Sequence, residues 1–165
     1  MTRLLAALAV TLTAATGAAV AVPYAASADS CSVSWGSQAK TTNAARPATL
    51  TAVRAGQHPC FDRLVLDVTA NGTGWSVRYV SAVHNEGQGA VVPLRGAAFL
   101  EVVEKAGTTR RLPMPSVAGY RTFRQVASGG SFEGQTTLGV GLRARLPFRV
   151  SVADHKVVID VAHHW

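Results

Sequence analysis

Serine, histidine and aspartate residues, which carry out much of the hydrolytic chemistry in proteins, are present in this chain but form no recognisable catalytic motif. The sequence contains no Gly-x-Ser-x-Gly turn of the kind that exposes a nucleophilic serine. His58 and His84 fall in predicted loops, where a histidine can act as a general base but more often packs in a turn. His163 and His164 are adjacent, so on an extended segment their side chains point in opposite directions. We therefore expect no catalytic residue, no metal site and no cofactor.

The side chains best suited to binding a polar ligand lie in one short central segment, with one addition further along the chain. The candidates are Arg54, His58, Asp62, Arg63 and Glu133. Charged and hydrogen-bonding groups of this kind orient a ligand in a binding site. Each candidate also has a structural alternative. Arg63 and Asp67 are suited to an ion pair on a solvent-facing sheet, and Asp62 and Glu133 are equally suited to cap backbone N–H groups.

Aromatic side chains, which stack on sugar rings in glycan sites, occur in two places beside polar neighbours. Trp75 and Tyr79 share one face of a predicted strand, and we expect both to belong to the core. Tyr120 and Phe123 lie next to two arginines. Neither pair by itself defines a glycan site.

The first residues have the order of features that a signal peptidase reads. Arg3 is followed by an apolar run over residues 4–22 and by the small-residue site Ala26-Ser27-Ala28. We predict cleavage after this site in preference to a membrane anchor. A lipid on Cys31 is disfavoured because the residues before it do not form a lipobox. The protein is then exported, either secreted or associated with the cell wall, and does not span the membrane after cleavage.

Charge and cysteine content agree with an exported protein. The net formal charge of +7 suits cell-wall polymers, acidic glycans or anionic membrane surfaces, and it also serves solubility alone. Nucleic acid is not an expected partner outside the cytoplasm. The two cysteines, Cys31 and Cys60, are expected to form one disulfide that ties the N-terminal segment to the central one.

Short segments in which apolar and polar residues alternate, separated by turn residues, run through the rest of the chain. Eight of them are predicted strands: residues 49–55, 64–68, 75–82, 90–94, 97–103, 136–142, 148–152 and 157–161. Asn71-Gly72 predicts a hairpin, residues 120–127 are ambiguous, and residues 115–125 are compatible with one short helix. The pattern predicts an all-β fold, an antiparallel β-sandwich of about eight strands in preference to a barrel. We expect residues 29–48 to form an extended arm and residues 49–165 a single domain.

Two of the predicted strands repeat one pattern. Residues 63–70 and 156–162 each contain a cation, three aliphatic residues, an aspartate and a valine in the same alternating frame. In each, the cation and the carboxylate fall on the same face, four residues apart. Either the domain consists of two related halves, or the two strands have the same pattern independently, because they occupy similar structural environments.

Four groups of residues in a fixed order carry a resemblance to a known family. They are Arg54-Ala-Gly-Gln-His58, Phe61-Asp-Arg-Leu-Val-Leu66, Ser131-Phe-Glu-Gly-Gln-Thr-Thr-Leu-Gly-Val-Gly-Leu142, and Pro147-Phe-Arg-Val150 with Val157-Val-Ile-Asp-Val-Ala-His163. Together they make residues 49–163 resemble the AMIN-like domain of exported actinobacterial proteins and lipoproteins. The chain departs from that pattern in having Cys60 in the central motif, in having Asp154-His155 where a proline-containing turn is common, and in lacking the lipid anchor of many relatives.

The resemblance implies a β-sandwich that binds a partner without transforming it. The AMIN-like family is similar to the AMIN domain, which targets cell-wall amidases and secretion proteins to the envelope. We therefore expect a non-catalytic module whose partner is a cell-wall glycan, such as peptidoglycan, or an envelope protein. The alternatives are a secreted protein-interaction module or inhibitor, and a hydrolase. A hydrolase would need a pocket that brings a histidine and a carboxylate within hydrogen-bond reach.

Overall fold

The structure is a computed structural model that describes residues 31–44 and 46–165, and within them nine β-strands form two antiparallel sheets. The strands are β1 (Lys40–Thr42), β2 (Leu50–Gln57), β3 (Phe61–Val68), β4 (Trp75–Val80), β5 (Ala98–Glu104), β6 (Phe123–Phe132), β7 (Gln135–Leu142), β8 (Phe148–Ala153) and β9 (Lys156–Ala162). One sheet has the order β1-β4-β5-β7-β6 and the other has the order β2-β3-β9-β8. The predicted all-β fold of antiparallel sheets is confirmed.

The N-terminal predictions are only partly covered by the described residues. The predicted signal peptide, residues 1–28, lies outside them. Within the predicted arm, Lys40–Thr42 forms β1 and pairs with β4 at the edge of the five-stranded sheet. Over the described ranges, no helix has the length and apolarity needed to cross a membrane.

The hairpin predicted at Asn71-Gly72 is wrong. β3 pairs with β2 and β9, whereas β4 pairs with β1 and β5, so the turn carries the chain from one sheet to the other. Gly72 does adopt the positive φ that such a turn favours, at 77°. The side-chain oxygen of Asn71 accepts a hydrogen bond from the backbone N–H of His155 at 2.6 Å. The turn residues were therefore recognised correctly, but the pairing of the strands around them was not.

Two further local predictions are wrong. Residues 115–125 contain no helix, because a turn at residues 118–119 leads directly to β6. Residues 90–94 form no strand, and only Val91 makes an isolated bridge, to His84. This segment instead packs across the outer face of the five-stranded sheet. A Cβ on Gly139 of β7 would lie 2.6 Å from the Leu94 side chain, so the absence of a side chain at Gly139 is what admits the covering segment.

The core lies between the two sheets. Alternate residues of β3 and β9 face inward from the smaller sheet, and alternate residues of β5 and β7 face inward from the larger one. The largest of these fully buried apolar side chains, together with those of β6 and β8, are Leu64, Leu66, Leu100, Phe123, Leu138, Leu142, Phe148 and Ile159. Burying each such side chain stabilises the fold by about 1.5–3 kcal/mol relative to exposure.

The two strands with the repeated sequence pattern, β3 and β9, lie side by side in the centre of the smaller sheet. Their antiparallel register places Arg63 opposite Asp160 and Asp67 opposite Lys156. The cation of each strand therefore faces the carboxylate of the other. This complementarity gives a physical reason for the repeated pattern.

The predicted disulfide between Cys31 and Cys60 is present. Their Cα atoms are 5.2 Å apart, within the normal range for a disulfide. The bond fixes the chain ahead of β1 to the turn between β2 and β3. No free cysteine occurs among the described residues.

Reduction of this disulfide is expected to lower the free energy of unfolding by about 3–4 kcal/mol, because the unfolded chain regains the conformational freedom of the closed loop. Denaturant titration with and without a thiol reductant measures the effect, and the double variant Cys31→Ser/Cys60→Ser should reproduce it without reductant. Equal denaturation midpoints in the two redox states would contradict the prediction.

Glu104, the last residue of β5, is a carboxylate in an apolar position. It is 0 % exposed, and neither of its carboxylate oxygens has a hydrogen-bond partner among the described residues. Burial raises the pKa of Glu104 from 4.5 to about 7. The folded protein therefore favours the protonated carboxyl. Protonated Glu104 therefore contributes fully to the stability of the folded state below pH 4.5, the pKa expected in the unfolded chain. This contribution is lost as the pH rises through about 7.

Glu104→Gln is expected to stabilise the protein at pH 8 by about 1–3 kcal/mol and to have little effect at pH 4, since the amide is neutral at both. Denaturation midpoints measured from pH 4 to pH 8 test this. Glu101→Gln is the matched control, because Glu101 is ion-paired with Arg78 at 2.6 Å and gains nothing from neutralisation. If the denaturation midpoints of the wild type and Glu104→Gln change with pH in parallel, the assignment of the raised pKa to Glu104 is contradicted.

Candidate binding groove

A groove of about 830 Å³ lies at the C-terminal end of β6. Its walls are the loop at residues 85–88, the loop at residues 108–114 and residues 128–132 of β6. Small-molecule sites typically have volumes of about 300–1,000 Å³. The groove is therefore large enough to accommodate an organic ligand.

The floor of the groove is apolar. Leu50, Leu112 and Leu138 line it and are buried, and Met114 is half-buried beside them. These residues come from β2, β7 and the 108–114 loop, and the three leucines belong to the core cluster, so the groove lies directly over one end of the core. An apolar floor with polar groups around it is the usual composition of a ligand site.

An aromatic side chain projects beside this floor. Phe132, the last residue of β6, is 52 % exposed. A Cβ on Gly87 would lie 3.7 Å from the Phe132 ring, so the 85–88 loop lies next to the ring on one side. Burying the rest of the ring against a ligand would contribute apolar contact area, as aromatic rings do in binding sites.

Hydrogen bonds hold the walls of the groove in place. The Ser131 hydroxyl accepts from the backbone N–H of Thr108 at 3.1 Å and donates to the Gln135 carbonyl at 2.8 Å. On the other wall, the backbone N–H of Glu86 donates to the Gly129 carbonyl at 2.7 Å, and its carboxylate accepts from the Thr137 hydroxyl. Both loops are thus attached to the β6–β7 hairpin, which orders the groove before any ligand binds.

Two cations stand at the rim. Arg110 and Arg111 line the groove and are exposed, and within the described ranges neither forms an ion pair with a carboxylate. The groove therefore combines an apolar floor, an aromatic ring, polar walls that include the Glu86 carboxylate, and two arginines that form no ion pair among the described residues.

The predicted binding residues do not come together in this groove. Arg54 and Arg63 lie on the outer face of the four-stranded sheet, and each donates two hydrogen bonds to a carboxylate. Arg54 pairs with Asp67 at 2.6 and 2.7 Å, and Arg63 pairs with Asp160 at 2.6 and 2.9 Å. The expected cross-strand ion pairing is present, but the predicted partner of Arg63 is wrong because the adjacent strand supplies Asp160.

His58 and Glu133 occupy turns on different parts of the molecule. His58 stacks on Phe61 with ring centroids 4.5 Å apart in the turn between β2 and β3. Glu133 forms the β6–β7 turn with Gly134, and both have positive φ, at 48° and 77°, as a two-residue hairpin loop requires. Of the five candidates, only Glu133 is adjacent to the groove, since it directly follows Phe132.

Asp62 is fully buried between the sheets and caps backbone N–H groups. Its Oδ2 accepts from the N–H of Thr122 at 2.6 Å and from the N–H of Phe123 at 2.9 Å, where β6 begins. In the alternating frame of β3, residue 62 shares its face with Leu64 and Leu66, so the frame directs its side chain inward. Of the two roles considered for Asp62, the structure thus shows the backbone cap.

A histidine, a hydroxyl and a carboxylate meet at this buried position, but their geometry does not suit hydrolysis. His163 Nδ1 lies 3.0 Å from the Thr122 hydroxyl, and its Nε2 lies 3.9 Å from Asp62 Oδ1, beyond hydrogen-bond range. The Nε2 atom instead lies 3.0 Å from the His58 carbonyl. Thr122 is 0 % exposed, so its hydroxyl cannot reach a substrate. This cluster therefore joins β9 to the start of β6.

Asp62→Ala is expected to lower the free energy of unfolding by about 2–4 kcal/mol, because two buried N–H groups lose their acceptor. Denaturant titration measures the loss. Glu133→Asn is the control, since it removes an exposed carboxylate and keeps a residue that tolerates positive φ. Wild-type stability in Asp62→Ala would show that the backbone cap contributes little.

The aromatic pair on β4 belongs to the core, as expected. Trp75 and Tyr79 are partly buried and pack against the core cluster. The Tyr79 hydroxyl donates to the Leu146 carbonyl at 2.7 Å, which fixes the chain ahead of β8.

The groove residues were not identified from the sequence, although two signals for them were present. Arg110-Arg111 stands in a basic loop, and Phe132 is an aromatic residue within one of the four resembling segments. The sequence did not show that the 108–114 loop packs beside the end of β6. Within the described part of the chain, no group of three or more metal-ligating side chains is present.

The two sheets and their order define a β-sandwich-type domain, and comparison with known families identifies which one. Residues 48–163 match the AMIN-like domain. The chain therefore belongs to the AMIN-like domain family, as its sequence segments indicated. Comparisons with curated proteins and with solved structures gave no match.

Proposed function

We propose that this protein is an exported, non-catalytic binding module that associates with the cell envelope, and that the groove beside Phe132 binds a wall glycan such as peptidoglycan. The observation that carries the proposal is the preformed groove, with its exposed aromatic ring and its two arginines that form no ion pair among the described residues. Membership of the AMIN-like family supports an envelope role.

The chemistry of the groove suits a glycan with acidic substituents. A sugar ring has an apolar C–H face that stacks on an aromatic side chain, and Phe132 offers such a surface. Its hydroxyl groups need hydrogen-bonding partners, which the polar walls, including Asn85 and Gln88, can supply. Arg110 and Arg111 are suited to carboxylate substituents, because a guanidinium matches the geometry of a carboxylate.

Export is supported by the disulfide and by the sequence ahead of it. Disulfides persist outside the cytoplasm and are rare inside it, and Cys31–Cys60 fixes the start of the described chain. We propose that residues 1–28 are the cleaved export signal and that residues 49–165 form the binding domain. The buried position of the cluster of Thr122, His163 and Asp62 supports a binding role without catalysis.

Retention of the protein on purified peptidoglycan, stripped of attached anionic polymers, tests the proposal. We expect binding at low salt and about a tenfold loss of affinity in Phe132→Ala, because this ring is the large apolar side chain that the groove exposes to a ligand. Val152→Ala is the matched control, as Val152 is an exposed apolar residue on β8, away from the groove.

Absence of retention at low salt, or equal retention of the two variants, would contradict glycan binding in the groove. A protein that co-purifies from the envelope and whose affinity is insensitive to added wall fragments would favour a protein-interaction module instead.

A further inference from the structure

Four exposed arginines lie together at the N-terminal end of β6, opposite the end that forms the groove. They are Arg95, Arg121, Arg124 and Arg143, and we call this surface the arginine end. They come from three separate segments of the chain: Arg95 precedes β5, Arg121 and Arg124 lie in the turn before β6 and at the start of that strand, and Arg143 directly follows β7.

Direct hydrogen bonds show that these segments meet. The Arg95 side chain donates to the Arg124 carbonyl at 3.3 Å. The Arg124 guanidinium donates through Nη1 to the carbonyls of Tyr120 and Arg121, at 3.1 and 3.3 Å. The backbone N–H of Arg143 donates to the carbonyl of Thr122 at 3.0 Å. The four arginines therefore belong to neighbouring segments at this end of the molecule, with the Arg143 guanidinium donating to the His163 carbonyl.

The charge of the arginine end is not neutralised by carboxylates at the surface. Across residues 31–44 and 46–165, none of the four arginines forms an ion pair, whereas Arg54, Arg63, Arg78 and Arg149 all do. The carboxylate beneath this surface is that of Asp62, which is 0 % exposed and accepts from backbone N–H groups.

Two of the four guanidiniums, those of Arg121 and Arg124, are held in a way that leaves the edge formed by Nε and Nη2 accessible, whereas Arg95 and Arg143 each donate through Nη2 to a backbone carbonyl. Arg121 donates through Nη1 to the Pro59 carbonyl at 3.5 Å, and Arg124 also uses Nη1. Neither residue has an acceptor at Nε or Nη2 among the described residues. That edge is the one through which Arg54 and Arg63 bind their carboxylates. It matches the two oxygens of a phosphate group equally well.

We propose that the arginine end binds a linear anionic polymer of the envelope whose repeating units are joined by phosphodiesters. A polymer with one charge per repeat engages several arginines on different segments at once, and each contact releases counterions. The backbone carbonyls keep the guanidiniums in place before binding, which reduces the entropy lost on association. This site is separate from the glycan groove and does not depend on it.

Binding of fluorescently labelled poly(glycerol phosphate) to the protein, measured by anisotropy over a range of salt concentrations, tests the proposal. We expect Arg95→Gln/Arg121→Gln to lose about tenfold or more in affinity. The slope of log affinity against log salt should become shallower by about 1–2, the value for two lost phosphate contacts. The matched control is Arg54→Gln/Arg78→Gln, which removes the same charge from ion-paired positions and should bind like the wild type.

Further comparisons distinguish this proposal from the alternatives. Phe132→Ala should bind the polymer as the wild type does, so that failure of the glycan proposal and failure of this one are distinguishable. Equal losses in the two double variants would mean that only net charge matters, and this would overturn the proposal. So would equal binding of poly-glutamate, which carries carboxylates, or stronger binding of phosphatidylglycerol vesicles, which would assign the surface to the membrane.

Discussion

The antiparallel pairing of β3 with β9 is the interaction on which the rest of the structure depends. Arg63 faces Asp160, and Asp160 also accepts from Arg149 of β8 at 2.9 Å. Charge complementarity thus selects one register across three strands, because a shift by one residue would separate these partners and turn the buried residues outward. With this register in place, Asp62 faces the interior and reaches the start of β6.

The position of β6 is fixed by that carboxylate at one end and by the hairpin with β7 at the other. β6 borders both the groove and the arginine end, so its placement determines the positions of these two surfaces. Buried Asp62 stabilises the fold and also positions the start of β6, beside Arg121 and Arg124. The residues that fix the fold and those suited to binding are therefore different, although they are close together in space.

Alternation of apolar and polar residues was enough to predict the sheet character and most strands. The disulfide followed from two cysteines in a chain expected to be exported. Strand order was not predictable, since Asn71-Gly72 describes a local conformation that serves a hairpin and a sheet-to-sheet connection equally well. The groove was not predictable either, because loops far apart in sequence build it, and hydrogen bonds such as that between Thr108 and Ser131 bring them together.

The disulfide also determines how the domain would respond to mechanical load. Tension applied to the chain ahead of Cys31 passes through the sulfur–sulfur bond to Cys60 and enters β3 directly. Because β1 and β2 lie within the closed loop, they are bypassed and cannot be peeled away one after the other. The pull is borne by the central strands of the smaller sheet, whose hydrogen bonds to both neighbours share the force.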